Sequence, residues 1–368
     1  MGKNIVLCFD GTGQQFGSGN SNVVKLFQTL LHNSDEQLSF YDPGVGTFSV
    51  RDPLFKWQDA LGRALGLMIG WGLFRNIETM YDFLIDKFQP GDKIFILGFS
   101  RGAYTARAFA GMIHEVGLLR PDCRNLFENA SRIYQIEPTD WDAHRAIVRD
   151  FRRQFSRECQ IHFLGLWDTV RSIGWFWDPY RLRHTARNPS VSIVRHAVSI
   201  DERRCFFRQN LWGAPTDNQD VNEVWFAGVH SDVGGSYPEA ESGLSKIALE
   251  WMIREASQHG LSLNESEGAA VLGEVEGYVR PDAFADAHES LQRWWWLAEL
   301  LPRRFMDPNA NFRQRWAFPL IHWDQIGRRR YIRDGIKIHK SVQDRMNADR
   351  TPRYAPPNLI RATFTVEN

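Results

Sequence analysis

The 368-residue sequence predicts an α/β fold built on a mostly parallel, doubly wound sheet. Two observations carry that expectation. Short apolar runs, each long enough for one strand buried on both faces, alternate with longer stretches of helical periodicity, the pattern of repeated strand–helix–strand units. Four of these runs also end in a loop that opens on a chemically capable residue, Asp10, Ser100, Asp168 or His230. Open α/β sheets gather their ligand chemistry at that edge, outside the carboxyl ends of the strands.

The elements follow in order. Asn4–Phe9 reads as a buried strand ending in Asp10-Gly11-Thr12-Gly13, after which a polar loop leads to an amphipathic helix over residues 23–31. A second strand, 38–41, ends in Asp42-Pro43-Gly44-Val45-Gly46. Residues 60–88 read as a long helical region interrupted by glycine. Pro90-Gly91-Asp92 turns the chain into the apolar run 93–97, and an alanine-rich helix follows Ser100. Residues 120–158 are charged and helical. Ile161–Trp167 is a strand ending in Asp168, followed by the aromatic loop Trp175-Phe176-Trp177. Residues 224–229 form another strand, ending in His230-Ser231-Asp232-Val233-Gly234-Gly235, with a clear helix over 244–259. The expected organisation is a single domain over 1–368, with a core to about residue 260. Residues 261–368 supply a cap and C-terminal elements, a late strand among them.

Composition narrows the function classes. A net charge of zero and a pI near 7.2 lack the basic footprint of a dedicated nucleic-acid binder, so nucleic acid is not an expected partner. The four cysteines, Cys8, Cys123, Cys159 and Cys205, lie far apart without metal-ligand spacing and read as core thiols in a reducing compartment. Neither a signal peptide, a myristoylation signal nor an 18-residue apolar span is evident, which predicts a chain that is soluble and cytoplasmic as synthesised. Export by a dedicated secretion system stays open.

The strongest chemical signal is Gly98-Phe99-Ser100-Arg101-Gly102. A G-x-S-x-G elbow needs small residues on either side so that a strained strand-to-helix turn can present the serine hydroxyl. Alone the pattern is weak, since glycine and serine at ~7% each produce it by chance in about one chain in ten of this length. The strand before it, the helix after it and the acid- and imidazole-bearing strand ends raise its weight. A hydroxyl nucleophile needs an imidazole to take its proton and a carboxylate to orient that imidazole. The chain order Ser100, Asp168, His230 supplies them in α/β-hydrolase sequence. The amides of Arg101 and of Gly11 or Thr12 are the expected oxyanion donors.

Alternatives remain at this level. Asp232 as acid and His339 as base would place both later in the chain. His114, His144, His184 and His196 read as satisfied surface or core residues. Asp10 reads equally as a loop cap, and Asp232 as a turn former. The stretch Phe9-Asp10-Gly11-Thr12 is similar to the D-x-D-G-T opening of aspartyl-phosphate phosphatases, but Cys8 stands where their nucleophile would be. A metal-dependent phosphoesterase using Asp10, Asp168 and Asp232 is chemically open, as is a non-catalytic interaction module of a secretion or defence system. In the cluster Ile200-Asp201-Glu202-Arg203-Arg204, the arginines, Arg203 and Arg204, could meet a phosphate or carboxylate of the substrate, and buried structural ion pairs explain the cluster equally. Trp294-Trp295-Trp296 beside Arg293 suits a lipid-facing lid or an aromatic cap packed on the core.

The segments CFDGT, YDPGVGT, PGDKIFILGFSRGAYTAR, GLWDTV, SIDERR, VWFAGVHSDVGGSY and IHKSVQDR resemble an α/β-hydrolase family whose members share the catalytic core of type VI secretion phospholipase effectors. The likeness covers most of residues 4–259 and a short piece near 336–345. It implies an α/β-hydrolase fold, the nucleophile on Ser100 of GFSRG, the acid on Asp168 of WDTV and the base on His230 of VHSDVGG. It further implies lipid or phospholipid acyl esters as substrates for a serine esterase that requires no cofactor. Transient contact with a membrane surface, and an immunity or adaptor protein if the chain acts as an effector, belong to the same expectation.

Overall fold

The computed structural model describes residues 2–11, 17, 19–32, 35–44, 71–170, 174–175, 178–179, 182–292, 295–300, 303–307, 313–317 and 326–368. Among them, eight strands form one sheet: β1 (Asn4–Phe9), β2 (Gln37–Asp42), β3 (Lys93–Phe99), β4 (Ile161–Trp167), β5 (Val191–Ser199), β6 (Asp220–Phe226), β7 (Ile336–His339) and β8 (Phe364–Glu367). The order is β8-β7-β6-β5-β4-β3-β1-β2, and every neighbouring pair is parallel. The sheet is therefore wholly parallel, where the sequence predicts a mostly parallel one. Because β1 lies between β2 and β3, the chain winds outward in opposite directions on either side of the β1–β3 boundary. That reversal opens a crevice at the carboxyl ends of β1 and β3, where Asp10 and Ser100 stand.

Side chains alternate between the two faces, and each face has its own core. Ile5, Leu7, Phe9, Ile94, Ile96, Leu164 and Leu166 pack under α2 (Trp71–Lys87), α3 (Arg101–Val116), α4 (Phe127–Gln135) and α5 (Trp141–Phe155). Val6, Cys8, Phe95, Leu97, Phe99, Phe163 and Trp167 pack under α1 (Asn22–Gln28) and α7 (Gly243–Gln258). The short α6 (His230–Gly234) follows β6, and α8 (Lys340–Asn347) follows β7. A third cluster joins Val198, Ile200 and Trp225 to Ile332, Ile338, Val342 and Leu359, tying the C-terminal segment to the far side of the sheet.

Two strands of this sheet go beyond the expected set. β5 is a nine-residue central strand, and β8 is a four-residue edge. Both helical and strand expectations from 71 to 259 otherwise correspond to elements within a few residues. Of the expected helical region 60–88, residues 60–70 lie outside the described residues, as do Phe176, Trp177, Arg293 and Trp294. No helix among the described residues is long and apolar enough to cross a membrane.

Candidate active site

Ser100 sits on the turn between β3 and α3 with φ 59° and ψ −122°, a conformation that side-chain-bearing residues rarely occupy. Its amide donates to Trp167 O at 3.0 Å, and its carbonyl accepts from Tyr104 N at 3.3 Å and Val170 N at 3.4 Å. The elbow closes tightly. A methyl group on Gly102 would lie 2.3 Å from Phe9 O and 2.4 Å from Asp10 O, and one on Gly98 would lie 2.8 Å from Ala103 Cα. Both glycines of the motif are thus required by backbone packing. The alanines of α3 then carry a good helix former against the sheet, with the positive end of its dipole beneath Ser100.

The hydroxyl has a partner. Ser100 Oγ lies 2.8 Å from His230 Nε2, and His230 Nδ1 lies 2.5 Å from Asp168 Oδ2. An ionised Asp168 can only accept, so Nδ1 carries the proton and Nε2 is left to accept from the serine. His230 arrives at the end of the loop after β6, as the first residue of α6. Asp232 shapes that turn by accepting Val229 N–H at 3.0 Å, and Glu202 accepts the His230 amide at 3.2 Å. The imidazole is walled by Phe99, stacked at 4.7 Å, and by the edge of Phe207 at 4.9 Å.

Asp168 is wholly buried and has φ 39°. Its carboxylate accepts Ser199 N–H at 2.9 Å and is gripped by the Arg330 guanidinium, NH1 on Oδ1 and NH2 on Oδ2, the latter at 2.9 Å. Burial alone would raise its pKa, but Arg330 and His230 outweigh burial and hold the carboxyl well below the usual carboxylate range. Burial pushes the His230 imidazole the other way, below its ordinary value, against the pull of Asp168. Glu202 is buried too. Arg204 overcomes the burial cost and brings it down to about 2. Two carboxylates, Asp168 and Glu202, and two guanidiniums, Arg330 and Arg204, thus surround the His230 imidazole with balanced charge.

Several expected roles meet a different geometry. The Gly11 amide, expected at an oxyanion, donates to Asp10 Oδ1 at 2.6 Å, because the Asp10 side chain folds back onto its own loop. Asp10 also accepts from Ser21 Oγ and Tyr41 OH, both at 2.7 Å, and burial pushes its carboxyl up to about 6. It is a loop anchor. Thr12 lies outside the described residues. Arg101 opens α3 directly after Ser100.

The rival pair is not brought to Ser100. Asp232 bonds His288 Nδ1 at 2.6 Å, while His339 caps α8, accepts from Ser341 N and stacks on Phe226 at 4.9 Å. Arg203 is spent on Gly327 O at 3.1 Å and Glu289 at 3.1 Å, and Asp201 on Arg329 and Tyr354. Asp201 and Arg203 of the charge cluster after β5 are therefore engaged in structural pairs, while Glu202 and Arg204 of the same cluster face His230. Asp10, Asp168 and Asp232 each answer different partners, and among the described residues no three His, Cys, Asp or Glu side chains gather as a metal site requires. All four cysteines are free, three of them buried. His144 and His184 both bond Glu115 at 2.8 Å, and His196 bonds Glu223 at 2.7 Å.

Arg330, Glu202, Ser199 and Phe207 escaped the sequence reading as contributors to the site. Glu202 lies within a charge cluster that is visible in the sequence. Arg330 sits in the cationic run Arg328-Arg329-Arg330, which reads locally as a solvated face.

A parallel sheet with helices on both faces, a serine on a strained strand–helix elbow and an imidazole and carboxylate from later strand ends define an α/β-hydrolase-like protein. More narrowly, the chain belongs to the T6SS phospholipase effector, Tle1-like catalytic domain family, whose model matches residues 3–255. It is similar to the uncharacterized protein YEL023C of Saccharomyces cerevisiae, 40% identical over an alignment of 557 positions, gaps included, that takes in 97% of this chain and 80% of that protein. Among solved structures, it is similar to an uncharacterized protein from Pseudomonas aeruginosa, with 21% identity and a TM-score of 0.43 over 71% of this chain and 46% of that one. It is also similar to the Tle1 effector bound to the VgrG spike of the type 6 secretion system, with 18% identity and a TM-score of 0.39 over 66% and 52%. The chain spans about half the length of those two solved proteins.

Proposed function

We propose that this protein is a serine hydrolase that cleaves carboxylic esters, with lipid or phospholipid acyl esters as substrates, through a covalent acyl-enzyme. The observation that carries the reading is the hydrogen-bonded series from Ser100 Oγ to His230 Nε2 and from His230 Nδ1 to Asp168 Oδ2. Membership of a phospholipase effector family supports the substrate class.

In this mechanism Ser100 Oγ attacks the ester carbonyl as His230 Nε2 takes its proton. The C–O bond to the leaving alcohol then breaks and His230 returns the proton to that oxygen. Water, deprotonated by the same Nε2, hydrolyses the acyl-serine, and the proton restores the Ser100 hydroxyl. Asp168 keeps the proton on Nδ1 and stabilises the imidazolium. The amides of Arg101, at the positive end of α3, and of Thr12 are the proposed oxyanion donors. Gly11 is no longer one of them. From His230, Phe207 leads to Trp295 at 5.4 Å, and Trp296, Leu297 and Leu300 are exposed just beyond, an apolar surface that suits an acyl chain or a lipid surface. The whole chain works as one hydrolase domain. Acting as an effector, it would be exported by a dedicated secretion system and restrained by an immunity or adaptor protein.

The test is hydrolysis of a panel of phospholipids and short esters by the wild type and by Ser100→Ala, with and without chelator. Fatty acid release that depends on Ser100 and ignores chelator supports the reading. Activity that survives Ser100→Ala, or that chelator abolishes, overturns it.

A further inference from the structure

We propose that Arg330, from the C-terminal segment beyond the residues matched by the family model, is a positioning residue of the active site that fixes the carboxylate plane of Asp168 and shares its charge with His230. The inference rests on the serine hydrolase reading and extends it. The geometry is that of a fully used guanidinium fork. Arg330 has five N–H donors, and their acceptors converge on the site: Asp168 Oδ1 and Oδ2, Ser199 Oγ at 2.8 Å and its carbonyl at 3.2 Å, and Phe207 O, reached by Nε at 3.0 Å and by NH2.

Each of those acceptors belongs to a residue that already acts on the base. Asp168 holds His230 Nδ1, Ser199 donates its amide to Asp168, and the Phe207 ring lies against the imidazole. A buried ion pair placed only for stability has no reason to touch all three. A bidentate fork also sets the rotation of a carboxylate, which a point charge does not.

The segment bearing Arg330 is itself docked against the site. Arg203 and Arg208 donate to the carbonyls of Gly327 and Arg328, Arg329 pairs with Asp201 at 2.8 Å, and Asn358 Nδ2 bridges the carbonyls of Arg330 and Ile200. The electrostatic consequence has a definite sign. The charged groups facing His230 are Asp168, Glu202, Arg204 and, through Asp168, Arg330, with His196 on the far side of Asp168. Arg330 draws on the carboxylate that would otherwise stabilise the imidazolium, so removing its charge makes His230 easier to protonate.

The test uses the full chain with Arg330→Gln, which removes the charge, and Arg330→Lys, which keeps the charge and removes the fork. Inactivation by a fluorophosphonate is followed against pH, and the His230 titration is followed by NMR on histidine-labelled protein. Arg330→Gln is expected to move the acid limb and the His230 titration up by about one pH unit, which is about tenfold slower labelling below both limbs. Arg330→Lys is expected to leave the limb near its wild-type position while lowering the plateau rate severalfold. Folded variants that keep the wild-type limb, plateau and titration overturn the proposal. Should Arg330→Gln not fold, the plateau of Arg330→Lys decides. A wild type that does not label at Ser100 sinks the hydrolase reading instead, and the His230 titration still tells whether Arg330 acts on the pair.

Discussion

Gly102→Ala probes the elbow at its tightest point. The added methyl would approach the carbonyls of Phe9, the last residue of β1, and of Asp10, just after it, at 2.3 and 2.4 Å, where ordinary contact begins at 3.4 Å. Phe9 is held in β1, which is paired on both edges, and Asp10 is tied to the end of β2 by its amide, which donates to Asp42 O at 3.0 Å. The first turn of α3 must therefore withdraw by about 1 Å, carrying Ser100 away from an imidazole that now stands 2.8 Å from its hydroxyl. A misplacement of that size costs on the order of a hundredfold in rate, roughly 2.7 kcal/mol of transition-state free energy. Overpacking adds a stability loss of about 1–3 kcal/mol. The assay is kcat/KM on a short soluble ester, with a thermal melt as control for folding. Gly98→Ala serves as an internal comparison. Its methyl meets the Ala103 backbone at 2.8 Å, so it should lose less. A Gly102→Ala enzyme with wild-type kcat/KM and melting temperature would refute the reasoning.

Other outcomes follow from the same geometry. Asp168→Asn should lower kcat about 10⁴-fold and should also lower the melting temperature, because it leaves the buried Arg330 without its counter-charge; wild-type turnover would remove Asp168 from the acid role. Since burial holds His230 below its ordinary value, kcat/KM should stay level as pH falls through 6.5 and decline only below it, where the base becomes protonated. A limb above pH 6.5 would contradict that. Asp10 titrates near 6 when folded against 3.8 in its unfolded reference, so its protonated form adds stability that is complete below about 3.8 and lost as pH rises through 6. Asp10→Asn should therefore gain on the wild type in urea midpoint as pH is raised from 4 to 7, and a constant difference would show that Asp10 is not so perturbed.

The strand ends that carry Ser100, Asp168 and His230 were legible because each follows an uninterrupted apolar run, so strand and functional residue identify one another. β5 was not, because VSIVRHAVS places Arg195 and His196 inside a buried strand. The Arg195 charge is met by Glu255 at 2.5 Å and Asp220 at 2.6 Å, and the His196 ring, which burial keeps below its ordinary pKa, by Glu223 at 2.7 Å. Those partners are remote in the chain and invisible to a local window. The same holds for Arg330, whose carboxylate lies 162 residues away. β8 has four residues at an edge, too few for periodicity to register. The misplaced oxyanion donor has a different cause. A loop cap is one of the readings open to Asp10 in the sequence, which does not show that its side chain takes the amide of the very next residue. Chain order could not separate His230 from His339, and it is the capping of α8 and the stack on Phe226 that set His339 apart.

The most direct measurement of the central claim is covalent labelling of the folded protein with a fluorophosphonate, followed by peptide mass spectrometry. The account predicts one adduct on Ser100, absent from Ser100→Ala, and indifferent to chelator. A wild type that stays unlabelled while hydrolysing esters, or an adduct that persists in Ser100→Ala, would contradict it.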